Sequence, residues 1–143
     1  VCAIERIAVP TTPPDLQRFA ALYTSAWCSQ NAASVATFFS PNGRLSVNDG
    51  APAIGRSAIQ NTVQSFMTAF PDLRVILDKL VAKDDRVEYH WTLAGTNTGP
   101  GGTGKPVRIS GMEIWKAWSE GLIDVSEGEF DAADYQRQLG IGS

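Results

Sequence analysis

The chain has a single histidine, His90, and only two cysteines, Cys2 and Cys28, in 143 residues. No ligand cluster stands around them at metal-binding spacing, so a zinc centre of the usual kind is not expected. Two cysteines in a chain of this size do not make a disulfide scaffold. Basic runs are absent and the net charge is -3, so nothing in the composition points to nucleic acid or an anionic membrane surface. No apolar run approaches the length of about 20 residues that spans a bilayer. The opening residues, VCAIERIAVPTTPP, lack a basic segment followed by an apolar one, so no signal peptide is expected and the cytoplasm is the default compartment. What remains is an ordinary globular composition, 43% hydrophobic and 19% charged, long enough for one domain with a core.

Residues 1–11 read as an irregular arm and residues 12–143 as a single domain. Thr12-Pro13-Pro14-Asp15 has the chemistry of a helix start: a threonine cap, proline in the first turn and an acid three residues on. Leu16, Phe19, Ala20, Tyr23 and Trp27 then recur at helical spacing. Asn31 is a cap for a short second helix, and Ser40-Pro41-Asn42-Gly43 reads as a turn. Arg44–Asn48 is a short strand candidate. Ser57 and Gln60 fit a capping box for a third helix whose stripe is Ile59, Val63, Phe66, Met67 and Phe70. From Leu73 the period becomes two. Strands are expected over 73–82, with a bulge near Asp78-Lys79, and over 86–96, 105–118 and 122–130, and Asp131 is a cap for a last helix ending at Gly140. Helices first and four consecutive strands after them predict an α+β fold, a curved antiparallel sheet with helices on one face.

The strand over 105–118 carries the main chemical signal. Val107, Ile109, Gly111, Glu113 and Trp115 share one face, which is apolar except for Glu113. An ionised acid there is costly to bury, so Glu113 is a partnered structural acid, an acid that meets water at a strand edge, or a functional acid in a pocket. Glu127 on the last strand is a candidate companion, since two neighbouring carboxylates push their protonation apart. Tyr23, Trp27, Phe66, Met67, Trp91 and Trp115 are candidate liners of an apolar pocket, each with plain core packing as its alternative, and Asp49 is a candidate at its mouth. His90 falls on the Glu88 and Thr92 side, away from the apolar face. Gly99 to Lys105 imitates a phosphate loop, but Pro106 stands where a Ser or Thr is needed, and a strand follows rather than a helix.

Several stretches, in this order, resemble the SnoaL-like branch of the NTF2-like superfamily: Ala26-Trp27, Phe38-Phe39-Ser40-Pro41-Asn42-Gly43, Gly55, Phe70-Pro71-Asp72-Leu73, His90 to Gly99, Gly111-Met112-Glu113-Ile114, Gly121-Leu122-Ile123, and Asp131 with Gln138-Leu139-Gly140. The resemblance covers almost all of the chain after residue 15. It implies a cone-shaped roll, with a bent sheet wrapped around the N-terminal helices and an internal apolar pocket. It implies a small-molecule ligand and a homodimer through the sheet face. Members include polyketide cyclases that close a ring by aldol condensation without a cofactor, using an aspartate at the position of Glu113. The position of Glu127 is often tryptophan in such proteins. Isomerases, dehydratases, epoxide hydrolases and non-catalytic binding modules share the fold, so the resemblance alone does not choose among them. Epoxide hydrolysis fits least, because Gly111 stands where those members carry an arginine.

Overall fold

The computed structural model describes residues 15–140. The expected N-terminal arm, Cys2 and Thr12-Pro13-Pro14 lie outside them. The chain runs α1 (Leu16–Cys28), α2 (Ala32–Ala36), β1 (Phe39–Val47), β2 (Ala53–Ile54), α3 (Arg56–Ala69), β3 (Arg74–Ala82), β4 (Val87–Thr96), β5 (Pro106–Ser119), β6 (Leu122–Phe130) and α4 (Ala132–Leu139).

Local chemistry explains most of these boundaries. The cap of α1 is Asp15 rather than Thr12; its side chain accepts the Arg18 backbone N–H at 3.0 Å. Ala20, Tyr23, Ala26 and Trp27 form the buried stripe of that helix. Asn31 caps α2 through the Ser34 N–H, and Asp131 caps α4 through the Asp134 N–H. Gly140 closes α4 in the left-handed region. The capping box expected at Ser57 does not form. Gly55, at φ 90°, turns the chain directly from β2 into α3, and no side chain caps that end.

The six strands form one curved sheet in the order β2-β1-β6-β5-β4-β3. β3 to β6 make the expected antiparallel meander, with a register shift between Leu77 and Lys79. Two expectations are corrected at its far side. β1 lies parallel to β6, so the sheet is mixed, and β1 begins at Phe39, running through the Ser40–Gly43 stretch expected to turn. That stretch instead forms the irregularity between Phe39 and Arg44, where Pro41 has no strand partner to give an N–H to.

The helices cover the concave face, where Tyr23, Phe39, Ile59, Val63, Phe70, Tyr89 and Trp115 are fully or almost fully buried. Each such side chain contributes about 1.5–3 kcal/mol from apolar burial. The sheet's other face carries polar groups. There Glu88 pairs with His90 at 3.2 Å and with Lys83 at 3.4 Å, and Thr92 bridges Asp78 and Ser110. No helix among the described residues is long and apolar enough to cross a membrane.

Candidate functional site

Sheet register assembles the site row by row. One row across four strands is Tyr89, Glu113, Gly128 and Val47. Beside it runs Trp91, Gly111 and Phe130, and on the other side Val87, Trp115, Ser126 and Leu45. All of these project to the concave face or leave space on it. Trp27 from α1, Thr62 and Phe66 from α3 and Val75 from β3 close over the middle row. Between them lies a cavity with Glu113 in its wall. Measured to the centre of a water-sized sphere, it holds about 60 Å³, space for several waters at roughly 10–15 Å³ each. Its surface is almost entirely apolar.

Glu113 is buried, only 7% exposed. Its Oε1 accepts from the Trp115 indole N–H at 3.0 Å, the Ser126 hydroxyl at 2.8 Å and the Tyr23 hydroxyl at 3.0 Å. Oε2 accepts only from the same Tyr23 hydroxyl, also at 3.0 Å. One hydroxyl hydrogen is thus shared between two oxygens, and Oε2 is the under-bonded one. Among the described residues, no Lys, Arg or His pairs with this carboxylate. Burial pushes the Glu113 carboxyl above its ordinary range, while the hydrogen bonds from Trp115, Ser126 and Tyr23 oppose that rise. Burial, reinforced by the Glu113 charge, drives the Tyr23 phenol well above its usual value. Tyr23 therefore remains a neutral donor. The hydroxyls of the other liners are already committed. Thr24 donates to the Ala20 carbonyl, leaving its hydroxyl oxygen to accept from Tyr89 at 2.5 Å, and Thr62 donates to the Ala58 carbonyl.

The residues singled out in the sequence separate into three groups. Trp27, Phe66 and Trp91 line the cavity with Glu113. Tyr23, Trp115 and Met67 are buried but do not line it; the first two grip the carboxylate and Met67 packs in the core. Glu127 and Asp49 are not at the site. Strand alternation turns Glu127 to the outer face, where it meets Lys116 at 2.9 Å with its side chain 42% exposed. Asp49 is exposed in the β1–β2 connection at φ 63°. Glu113 and Glu127 therefore do not pair, and the inward residues flanking Glu127 on β6 are Ser126 and Gly128. Ser126, Tyr89 and Phe130 were missed. Their signal is the parity of β6 and β4: once Glu113 faces in, the register partners of its row face in too. No group of three or more His, Cys, Asp or Glu side chains converges among the described residues.

Solved structures share this fold at low identity. A protein of ketosteroid isomerase-like fold from Catenulispora acidiphila, solved in complex with trimethylamine, aligns at TM-score 0.74 with 18% identity, covering 90% of this chain and 95% of that one. A phenazine biosynthesis-related protein from Pseudomonas aeruginosa aligns at 0.71 with 15% identity, over 90% and 89% of the two chains. The epoxide hydrolase/cyclase-like enzyme SalBIII, described in pyran ring formation in the polyether salinomycin, aligns at 0.71 with 19% identity, over 82% and 92%. No curated protein matches the sequence. The family model for SnoaL-like polyketide cyclases matches residues 17–139, and the chain belongs to that family.

Proposed function

We propose that the chain is a cofactor-free acid/base enzyme of the polyketide cyclase type, with Glu113 as its proton-transfer group. The observation that carries this reading is the state of that carboxylate. It is buried in an apolar cavity, held by neutral donors only, with Oε2 left under-bonded. Burial brings a carboxyl toward the pH at which a general base works best. In the step proposed, Oε2 takes a proton from the carbon next to a ligand carbonyl. The C–H bond breaks, an O–H bond forms on Glu113, and the electron pair becomes the enolate. Return of the proton to another carbon gives isomerisation; attack of the enolate carbon on a second carbonyl forms the ring's C–C bond, and the resulting alkoxide takes the proton back from Glu113. Trp115 and Ser126 hold Oε1, which leaves Oε2 as the oxygen that takes the proton. A cavity of this size fits a small oxygenated apolar molecule better than a polycyclic one.

The direct test is deuterium exchange next to the carbonyl of cyclohexanone in deuterated buffer, followed by NMR. Glu113→Gln keeps the shape and removes the base, so exchange should fall by about 10²–10⁴-fold. Undiminished exchange in a folded variant would sink the assignment. A second reading, a ligand-binding module without turnover, is favoured by one observation: the hydroxyls of Tyr89 and Thr62 are occupied within the protein and are not free to serve a developing oxyanion. Binding of the ketone with no Glu113-dependent exchange would select it. We also propose a homodimer through the outer sheet face around His90, Met112 and Ile114, on which polar and apolar groups mix. Light scattering at micromolar concentration should give twice the chain mass; a monomer would contradict it.

A further inference from the structure

Glu113 has a second chemical consequence, which rests on reading this cavity as the ligand site. The carboxylate has no cationic partner among the described residues. The walls around it are aromatic: Trp27 and Phe66 from the helices meet edge to face at 6.3 Å, Trp91 and Phe130 in the neighbouring row of the sheet at 6.0 Å, and Tyr89 stands beside Glu113 in register. Aromatic faces attract a cation through their quadrupole, most strongly where water is excluded. A buried carboxylate attracts one through charge, and is relieved of its own desolvation by the pairing. A neutral ligand uses only the apolar area of such a site. A small alkylammonium uses all of it: methyl groups against the rings, N–H toward Oε2.

We propose that the cavity is selective for small tertiary amines bound as their ammonium ions, paired with Glu113 and enclosed by Trp27, Phe66, Tyr89, Trp91 and Phe130. Entry has two equivalent routes. An ammonium ion meets the ionised carboxylate, or a free amine meets the protonated acid. In the second route the O–H bond of Glu113 breaks, the proton forms an N–H bond, and the same ion pair results. The second route spares the cation its passage through the apolar mouth. Gly128 lies beside Glu113 in the sheet and puts no side chain over it; a Cβ there would come within 3.9 Å of Glu113 Cγ. Gly128 thus lines the cavity next to Glu113 with backbone alone.

The test is titration of the protein with trimethylamine hydrochloride against tert-butanol, which has a similar size and a hydrogen-bond donor but no charge, read by ligand-observed NMR. The amine should bind at least about tenfold more tightly than the alcohol, a factor equal to roughly 1.4 kcal/mol. Glu113→Gln should abolish that preference while leaving alcohol binding in place. Trp91→Leu keeps the carboxylate and should weaken the amine more than the alcohol, which serves if the first variant folds poorly. Equal affinity of wild type for amine and alcohol, or an amine preference that survives Glu113→Gln, overturns the proposal. The cyclohexanone exchange separates the two readings. Glu113-dependent exchange without amine preference refutes the amine site and leaves acid/base catalysis standing; amine preference without exchange does the reverse.

Discussion

The Tyr23→Phe substitution tests the electronic state of the site without any knowledge of the ligand. The ring stays among Phe38, Tyr89 and Trp115, whose centroids lie 5.4–5.5 Å away, so packing is retained. Only the hydroxyl that serves both Glu113 oxygens is lost. A hydrogen bond to a charged group is worth about 1.5–3 kcal/mol, one between neutral groups about 0.5–1.5 kcal/mol. The loss should therefore depend on whether Glu113 is ionised. Native Glu113 has a raised pKa, so over the window between its unfolded and native values the folded state holds a proton that the unfolded chain has released. Its contribution to stability is complete below the unfolded value, about 4.3, and is lost as pH rises through the native one. Removing a donor raises the native value further and extends that loss. The variant should thus be destabilised by about 0.5–1.5 kcal/mol on the acid side and by about 1.5–3 kcal/mol on the alkaline side. Urea unfolding at pH values either side of the Glu113 titration reads this directly, with slopes of about 1–3 kcal/mol/M. Made in the Glu113→Gln background, the same substitution should have the small, neutral effect at every pH. A pH-independent difference, or an equal one in that background, would refute the account of Glu113 as a buried carboxylate sustained by neutral donors.

Two further substitutions bear on the site's boundaries. Gly128→Ala places a methyl group 3.4 Å from the Ser46 carbonyl and 3.9 Å from Glu113 Cγ, both ordinary contacts. Stability should hold or rise by about 0.5–1 kcal/mol, as expected for alanine over glycine in a strand, while ligand titrations show weaker binding; unchanged binding would mean that the ligand does not enter beside Glu113. Glu127→Gln removes an exposed pair with Lys116 and should alter stability by no more than about 1 kcal/mol. It should leave cyclohexanone exchange at the wild-type rate, and a large loss there would return Glu127 to the site.

Much of the fold was legible because its signals are local. The helical stripe of α1, the Asn31 and Asp131 caps and the alternation of β4 and β5 each lie within a few residues of sequence. Glu113 was legible for the same reason: one acid interrupts an apolar face. Companions contributed by other strands were harder to find. Glu127 is the conspicuous acid on β6, yet its inward neighbours are Ser126 and Gly128, and which parity faces in depends on pairing with β5, a non-local fact. The path of β1 was hidden likewise. Pro41 and Gly43 carry turn chemistry, and only the parallel pairing with β6, set by tertiary packing, draws that stretch into the sheet.

Two glycines show why the cavity exists where it does. The concave face of β5 and β6 is occupied by large or polar side chains at Trp115, Ser126 and Glu113, and an unbroken series would fill the space beneath α1 and α3. Gly111 and Gly128 interrupt it. A Cβ at Gly111 would stand 2.7 Å from Cζ2 of Trp91 and 2.3 Å from the Glu129 carbonyl, so the glycine lets the Trp91 indole lie across the strand as a wall of the cavity. Gly128, by contrast, has room for a Cβ at ordinary contact distance, 3.4 Å from the Ser46 carbonyl and 3.9 Å from Glu113 Cγ, and lines the cavity with backbone alone. One missing side chain thus seats an aromatic wall, and the other leaves the cavity lining next to Glu113 without a side chain. Apolar burial would otherwise favour closing this space. The row through Glu113 thus keeps a cavity beside a carboxylate that Tyr23, Trp115 and Ser126 hold in place.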